Sequence, residues 1–413
     1  MRSRRLTACF SVLLAGSLCA ADPSAALDRS IRRLQDQLYL TTADGNLALQ
    51  IGGGLDFEAY TFSETGSGWV FPDDAETNHR LSARWTGTLD AWVGERIYGF
   101  VKLRHDRGIH PGFAPDGDTR FDESFVRVTL DPEYLQLQAG KFAGDLGNFL
   151  GRHDSWENPF INYPLVYENV THVSDINVFP DAATFADQRD QPDVKTEEIP
   201  LIWAPLYRTG FAALGHVGNW DYIISYTNSG VSSRSSEWND WDLSDASWTA
   251  RLGYSPSPAW SLGLNAGEGP YFREEAAARL PAGTGISDFE QTTYGIDLAW
   301  AWRHWEVFAE AYRVSWEVPN VGNVHAWSGY IEGRYQVTPR AYVAARINRE
   351  QHERVRTAGG PERWDHPIWR LDLATGYRFS RFLQGQLTYA LMRQDADFQN
   401  GEHLWAARLT LIY

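Results

Sequence analysis

"LWAARLTLIY", Leu404–Tyr413, alternates without a break. Trp405, Ala407, Leu409, Leu411 and Tyr413 fall on one side, Arg408 and Thr410 on the other. Successive side chains of an extended chain point to opposite faces, so this stretch reads as a β-strand with one apolar and one wet face. Such a strand needs partners along both edges, and the rest of the chain should supply them.

The same pattern recurs from Asn46 onward. In "NLALQIGGGLDFEAY" the set Leu47, Leu49, Ile51, Leu55 and Phe57 alternates with Gln50, Asp56 and Glu58. "RLSARWTGTLDAW" sets Leu81, Ala83, Trp85 and Leu89 against Arg80, Ser82, Arg84, Thr86 and Asp90, and "IWRLDLATGYR" sets Trp369, Leu371, Leu373 and Tyr377 against Arg370, Asp372 and Arg378. Sixteen such segments begin near residues 46, 80, 97, 120, 134, 208, 220, 246, 259, 289, 304, 326, 340, 367, 381 and 402. Seven of their connections are tight turns: at Gly94, Asp131, Gly218, Ser255, Arg303, Thr338 and near Ser380. The other eight are expected to be long and rich in Gly, Asp, Asn, Ser and Pro.

An even number of half-apolar strands, with short turns on one side and long loops on the other, is the pattern of a transmembrane antiparallel β-barrel. A soluble sandwich would share the alternation but would favour aliphatic residues on its apolar faces. Here those faces carry Trp248 and Tyr254, Trp260, Trp300 and Trp302, Trp327 and Tyr335, Trp369 and Tyr377 near strand ends. Aromatic rings at both ends of an apolar band suit the boundary between hydrocarbon and headgroups. The mean hydropathy of −0.40 is compatible with this, because barrel strands are apolar on one face only.

The first 21 residues, "MRSRRLTACFSVLLAGSLCAA", combine a basic start, an apolar centre and small residues near the end, so residues 1–21 read as a cleaved export signal. Losing its three arginines would take the formal charge from −16 to −19, which does not suit a nucleic-acid partner. Both cysteines, Cys9 and Cys19, lie within it, so thiol chemistry and disulfides are excluded from the mature chain. Residues 22–45 read as a short periplasmic amphipathic helix and linker, with Leu27, Ile31, Leu34 and Leu38 spaced as one helical stripe. It should rest on neighbouring structure or, alternatively, join subunits as a small coiled coil. The barrel then spans residues 46–413.

Taken together, the mature chain resembles the Gram-negative outer-membrane porins. The likeness rests on the export signal, the missing cysteines, the sixteen segments, the turn and loop alternation and the terminal aromatic. "DESFVRVTL" followed by "LQLQAGKF", Asp122–Phe142, with the short helix, is similar to the phosphate- and polyphosphate-selective porins, although this chain is acidic and uses arginine where they use lysine. The resemblance implies a passive channel for small hydrophilic solutes and ions in the outer membrane, or a phosphate-, anion- or sugar-selective one. It also implies a homotrimer in contact with outer-membrane lipid and lipopolysaccharide, no cofactor, and Tyr413 as the residue read by the barrel-assembly machinery.

It further implies that the third loop, residues 143–207, folds inward as a constriction. This segment holds eleven acids against Arg152, Arg189 and Lys195. Its candidate residues are the acids Asp154, Glu157, Asp181, Asp187 and Asp190 and the aromatics Trp156, Phe160, Tyr163 and Tyr167. Opposite it, the alternation turns Arg80, Arg84, Lys102, Arg104, Arg127, Arg334, Arg346 and Arg370 inward. A basic side chain facing lipid near the midplane costs about 2–4 kcal/mol, so the inward setting is the favourable one. The expected device is a set of loop carboxylates facing an arginine ladder.

Enzyme signatures are scarce: there is no G-x-S-x-G, no H-E-x-x-H and no phosphate-cradling glycine loop. A barrel-borne lipase or protease is the alternative of another class, and would need a Ser/His or Asp/His set on the rim. The eleven histidines are scattered with no pair at ligand spacing, so no metal site is expected. The D-x-D of "PDGDT" reads as a turn, and the glycines of "IGGGL" read as relief of crowding in the first strand.

Overall fold

The computed structural model describes residues 23–63, 78–106, 117–191, 193–194, 196–234, 241–394 and 402–413. The export-signal segment lies outside them. Sixteen antiparallel strands form the barrel: β1 (Leu47–Phe62), β2 (His79–Val93), β3 (Ile97–Asp106), β4 (Asp118–Asp131), β5 (Leu135–Ala143), β6 (Tyr207–Val217), β7 (Trp220–Thr227) and β8 (Ser247–Ser257), then β9 (Trp260–Pro270), β10 (Glu290–Trp302), β11 (Trp305–Val318), β12 (Gly322–Thr338), β13 (Ala341–His352), β14 (Ile368–Arg378), β15 (Leu383–Gln394) and β16 (Glu402–Ile412). Each pairs with its sequence neighbours, and β16 returns to β1 from Leu404 opposite Phe62 to Ile412 opposite Gly54. Closure leaves no unpaired edge along this seam.

The faces follow the alternation. On β16, Trp405 and Leu409 are exposed outside, while Arg408 and Thr410 are buried inside. The outer face bears an aliphatic band that includes Leu252, Leu264, Ile296, Ile331, Ile347 and Leu387, all exposed. Aromatic pairs bound it at the turn end (Trp220 on Tyr254 at 4.5 Å, Trp305 on Tyr335 at 4.8 Å) and at the loop end (Tyr389 on Trp405 at 4.6 Å).

The terminal aromatic has a prepared seat. Tyr413 continues the ladder by exchanging two backbone hydrogen bonds with Gly53, and its hydroxyl accepts a 3.1 Å hydrogen bond from the indole of Trp85. A Cβ on Gly53 would lie 2.6 Å from that hydroxyl oxygen and 2.3 Å from the Thr86 carbonyl, so the middle glycine of "IGGGL" is required by close approach.

Two features depart from the sequence reading. The connection between β11 and β12 is a three-residue turn rather than a long loop, with Asn320 at φ 62°. In this outer stretch of β11 the polarity of the two faces inverts: Val314, Trp316 and Val318 are buried inward, and Arg313 faces out to pair with Glu353 at 3.2 Å. The hairpin thus does by strand extension what a loop was expected to do. Second, β4 has a bulge at Asp122, which breaks strict alternation. Ahead of the barrel, helix α1 (Pro23–Gln37) leads into Tyr39–Thr41, which pairs with the start of β1. Ile31 is the buried residue of its stripe, whereas Leu34 remains 41% exposed.

Candidate functional site

The third loop enters the barrel because its apolar residues match an apolar patch on the inner wall. Phe149, Leu150, Val166, Tyr167 and Leu201 pack with Tyr312, Val314, Trp316, Ala326 and Tyr330 of β11 and β12 into one core. Burying such side chains is worth about 1.5–3 kcal/mol each. Polar anchors fix the register. Glu310 accepts from the backbone N–H groups of Asn148 (2.6 Å) and Phe149 (2.7 Å) and from the Tyr167 hydroxyl.

The expected pattern of loop carboxylates against wall arginines holds only in part. On the β11–β14 side the signs are mixed, because the loop contributes a cation as well as an acid. Arg152 pairs with Glu332 at 2.7 Å and donates to the Tyr330 hydroxyl at 3.1 Å. Arg346, fully buried, bonds Asp372 at 2.8 Å, Glu332 at 3.3 Å and the loop carbonyls of Asn162 (3.0 Å) and Tyr163 (3.1 Å). Arg370 pairs with Asp372 at 2.9 Å and with the loop's Glu168 at 3.2 Å. These two arginines are locks behind the loop rather than steps of an open ladder.

On the opposite side a cavity of about 330 Å³ separates the loop from β1–β4 and β16. Arg84, Lys102 and Arg104 of the basic candidates line it, with Arg408 beside them. Arg84 binds Asp56 at 3.0 Å and Glu58 at 2.7 Å, and Arg104 binds Asp106 at 2.7 Å and Asp122 at 3.4 Å. Lys102 reaches the loop's Asp154 at 2.9 Å, so here, as at Glu168 and Arg370, a loop acid meets a candidate wall base as expected. Arg334 lines a second cavity, of about 430 Å³, toward the β8–β9 turn, and binds Glu306 at 2.5 Å. Arg127 is tied to Gln138 at 2.6 Å and Arg80 is buried on the inner face, and neither lines either of these two cavities.

The loop candidates separate likewise. Asp154, Trp156 and Tyr163 face the first cavity and Glu157 the second. Phe160 is buried under the Arg346 guanidinium at 4.3 Å, and Tyr167, buried in the loop core, also lines the first cavity. Asp181, Asp187 and Asp190 line neither cavity. Asp181 caps the short helix Ala182–Ala186 through the Thr184 N–H at 2.8 Å, and Asp190 pairs with His366 at 2.9 Å. Asp122 and Arg408 were outside the candidate set. Arg408 was legible from the alternation of β16. Asp122 was not, because the bulge turns it inward next to Glu123.

No protein-family model and no curated protein sequence matches the chain. Among solved structures, the chain is similar to the trimer form of OmpT, an outer membrane protein of Vibrio cholerae, at TM-score 0.57 and 9% identity over 89% of this chain and all of that one. It is similar to Salmonella typhi OmpF in complex with daunomycin, at TM-score 0.55 and 8% identity over 91% and 100% of the two chains. A third likeness is to the outer membrane channel DcaP of Acinetobacter baumannii, at TM-score 0.54 and 12% identity over 91% and 99%. At such identities the likeness defines a fold, the closed sixteen-strand antiparallel barrel.

Proposed function

We propose that this protein is an outer-membrane channel for passive diffusion of small hydrophilic solutes and ions. The observation that carries the reading is the charged cavity enclosed between the docked loop and one sector of a barrel whose outer face is apolar. Lumen charge of this kind keeps water in a pore and sets ion preference. The cavity lining includes six acids (Asp56, Glu58, Asp106, Glu123, Asp154, Glu168) and four bases (Arg84, Lys102, Arg104, Arg408). Each of those bases has a carboxylate partner within 4.0 Å, which favours a mild cation preference over phosphate or anion selectivity.

Residence in the outer membrane against lipid and lipopolysaccharide, export with a cleaved signal, a homotrimeric state, recognition of Tyr413 by the barrel-assembly machinery and the absence of enzymatic activity belong to the same reading. The names of the structural neighbours, channels and a trimer among them, support it. Planar-bilayer recording of the purified protein in a salt gradient tests it. Discrete conductance steps with a reversal potential on the cation side are expected, and a silent bilayer overturns the channel reading.

A further inference from the structure

The channel reading leaves one buried cluster unused, at the loop end of the barrel where the third loop meets β13 and the β13–β14 connection. His172 sits on the strand Val170–Ser174, which pairs with Glu198–Pro200 within the third loop. Its Nδ1 faces Glu198 Oε1 at 3.1 Å, and the other oxygen of Glu198 accepts from the Val194 N–H at 2.7 Å. This fixes the ring. Nε2 then points at Asp193 and Asp365, each with a carboxylate oxygen at 3.9 Å.

His352, at the end of β13, repeats the arrangement. Its Nδ1 bonds the His366 carbonyl at 3.0 Å, and its Nε2 faces the second oxygen of Asp365 at 3.8 Å and Glu350 at 3.4 Å. Both imidazoles are at least 98% buried, and both Nε2 atoms, with Glu350 Oε2, have no hydrogen-bond partner among the described residues. Orphaned buried polar atoms are costly and call for a partner.

Separations of 3.8–3.9 Å are too long for hydrogen bonds. They are close to the spacing of two ligands on one zinc ion, about 3.3–3.5 Å for bonds of about 2.0–2.1 Å at a tetrahedral angle. A histidine whose other ring nitrogen is held by a carboxylate or a carbonyl is the usual form of a metal ligand. Donor atoms of His172, Asp193 and Glu198 already lie within 4.8 Å of one another.

We propose that the cluster binds a divalent transition-metal cation of the zinc class, with His172, Asp193 and Asp365 as ligands, Glu198 orienting His172, and His352 with Glu350 completing the site across Asp365. The ion clamps the third loop to the β13–β14 connection and so steadies the segment that narrows the barrel.

The test is calorimetric titration of zinc chloride into the full-length, chelator-stripped protein in detergent near neutral pH, with cobalt absorption as a second signal. One zinc per chain is expected, with affinity lowered at least tenfold in Asp365→Asn and in His172→Ala and unchanged in His304→Ala, whose ring lies against Tyr335 at the β10–β11 turn. Asp365→Asn keeps side-chain shape, so it carries the test if His172→Ala misfolds. No saturable binding, or binding that persists in both cluster variants, overturns the proposal and leaves an imidazolium–carboxylate network.

Discussion

Replacing Arg346 by alanine separates a loop that is locked to the wall from one that merely lies near it. The guanidinium donates to two loop carbonyls, Asn162 at 3.0 Å and Tyr163 at 3.1 Å, from a fully buried position. Hydrogen bonds involving a charged group contribute about 1.5–3 kcal/mol each, so the pair holds the loop by about 3–6 kcal/mol. The low end applies. Tyr163 keeps its bond from Arg370, and Glu332 and Asp372 keep Arg152 and Arg370 as partners, so no buried carboxylate is stranded. A loss of about 3 kcal/mol raises the undocked population roughly 150-fold. Hydrogen exchange reads this ratio directly at the amides of Ile161 and Leu165, which bond Thr388 Oγ1 and Asn348 Oδ1 in the docked state. Faster exchange by about that factor is expected at these amides alone, with strand amides unmoved and open-channel noise increased. If exchange at Ile161 and Leu165 matches the wild type, the lock does not exist and the loop is held by its apolar core only.

Asp154→Asn removes the loop acid that pairs with Lys102 and leaves that cation facing the cavity. The reversal potential in a salt gradient should move toward the anion side, and an unchanged potential removes Asp154 from the permeation path. Gly53→Ala places a methyl 2.3 Å from the Thr86 carbonyl and 2.6 Å from the Tyr413 hydroxyl, so folded barrel yield should fall sharply. Gly99→Ala meets nothing closer than 3.8 Å and serves as the control; equal yields of the two variants would dismiss the seat for Tyr413. Deleting Tyr413 should reduce the amount of assembled barrel several-fold while leaving the conductance of the surviving channels unchanged, and altered conductance at normal yield would reverse that assignment.

Period-two alternation determined a good deal unaided. It placed the strand starts within four residues of those observed, from Leu47 to Glu402, and it set which side chains face in. The reason is local: a pleated strand offers two environments, and each side chain declares its own by polarity. The reading failed where geometry departs from the pleat or where polarity loses its meaning. The bulge at Asp122 adds a residue without changing composition, and the β11–β12 hairpin turns its apolar side inward because the third loop covers it. Tertiary structure alone decided which charges meet. Arg152 of the loop could have faced any acid of the wall, and it took Glu332, 180 residues away, because the apolar core of the loop docks on β11 and β12. The same holds for the histidines, which showed no ligand spacing along the chain. His172 and His352 come to share Asp365 only once the loop has folded into the barrel, since pairing between distant segments is fixed by closure and docking and by no short-range pattern. "LWAARLTLIY" shows both sides of this: its alternation named its faces, and only closure gave it β1 as a partner and Gly53 as the seat of its last ring.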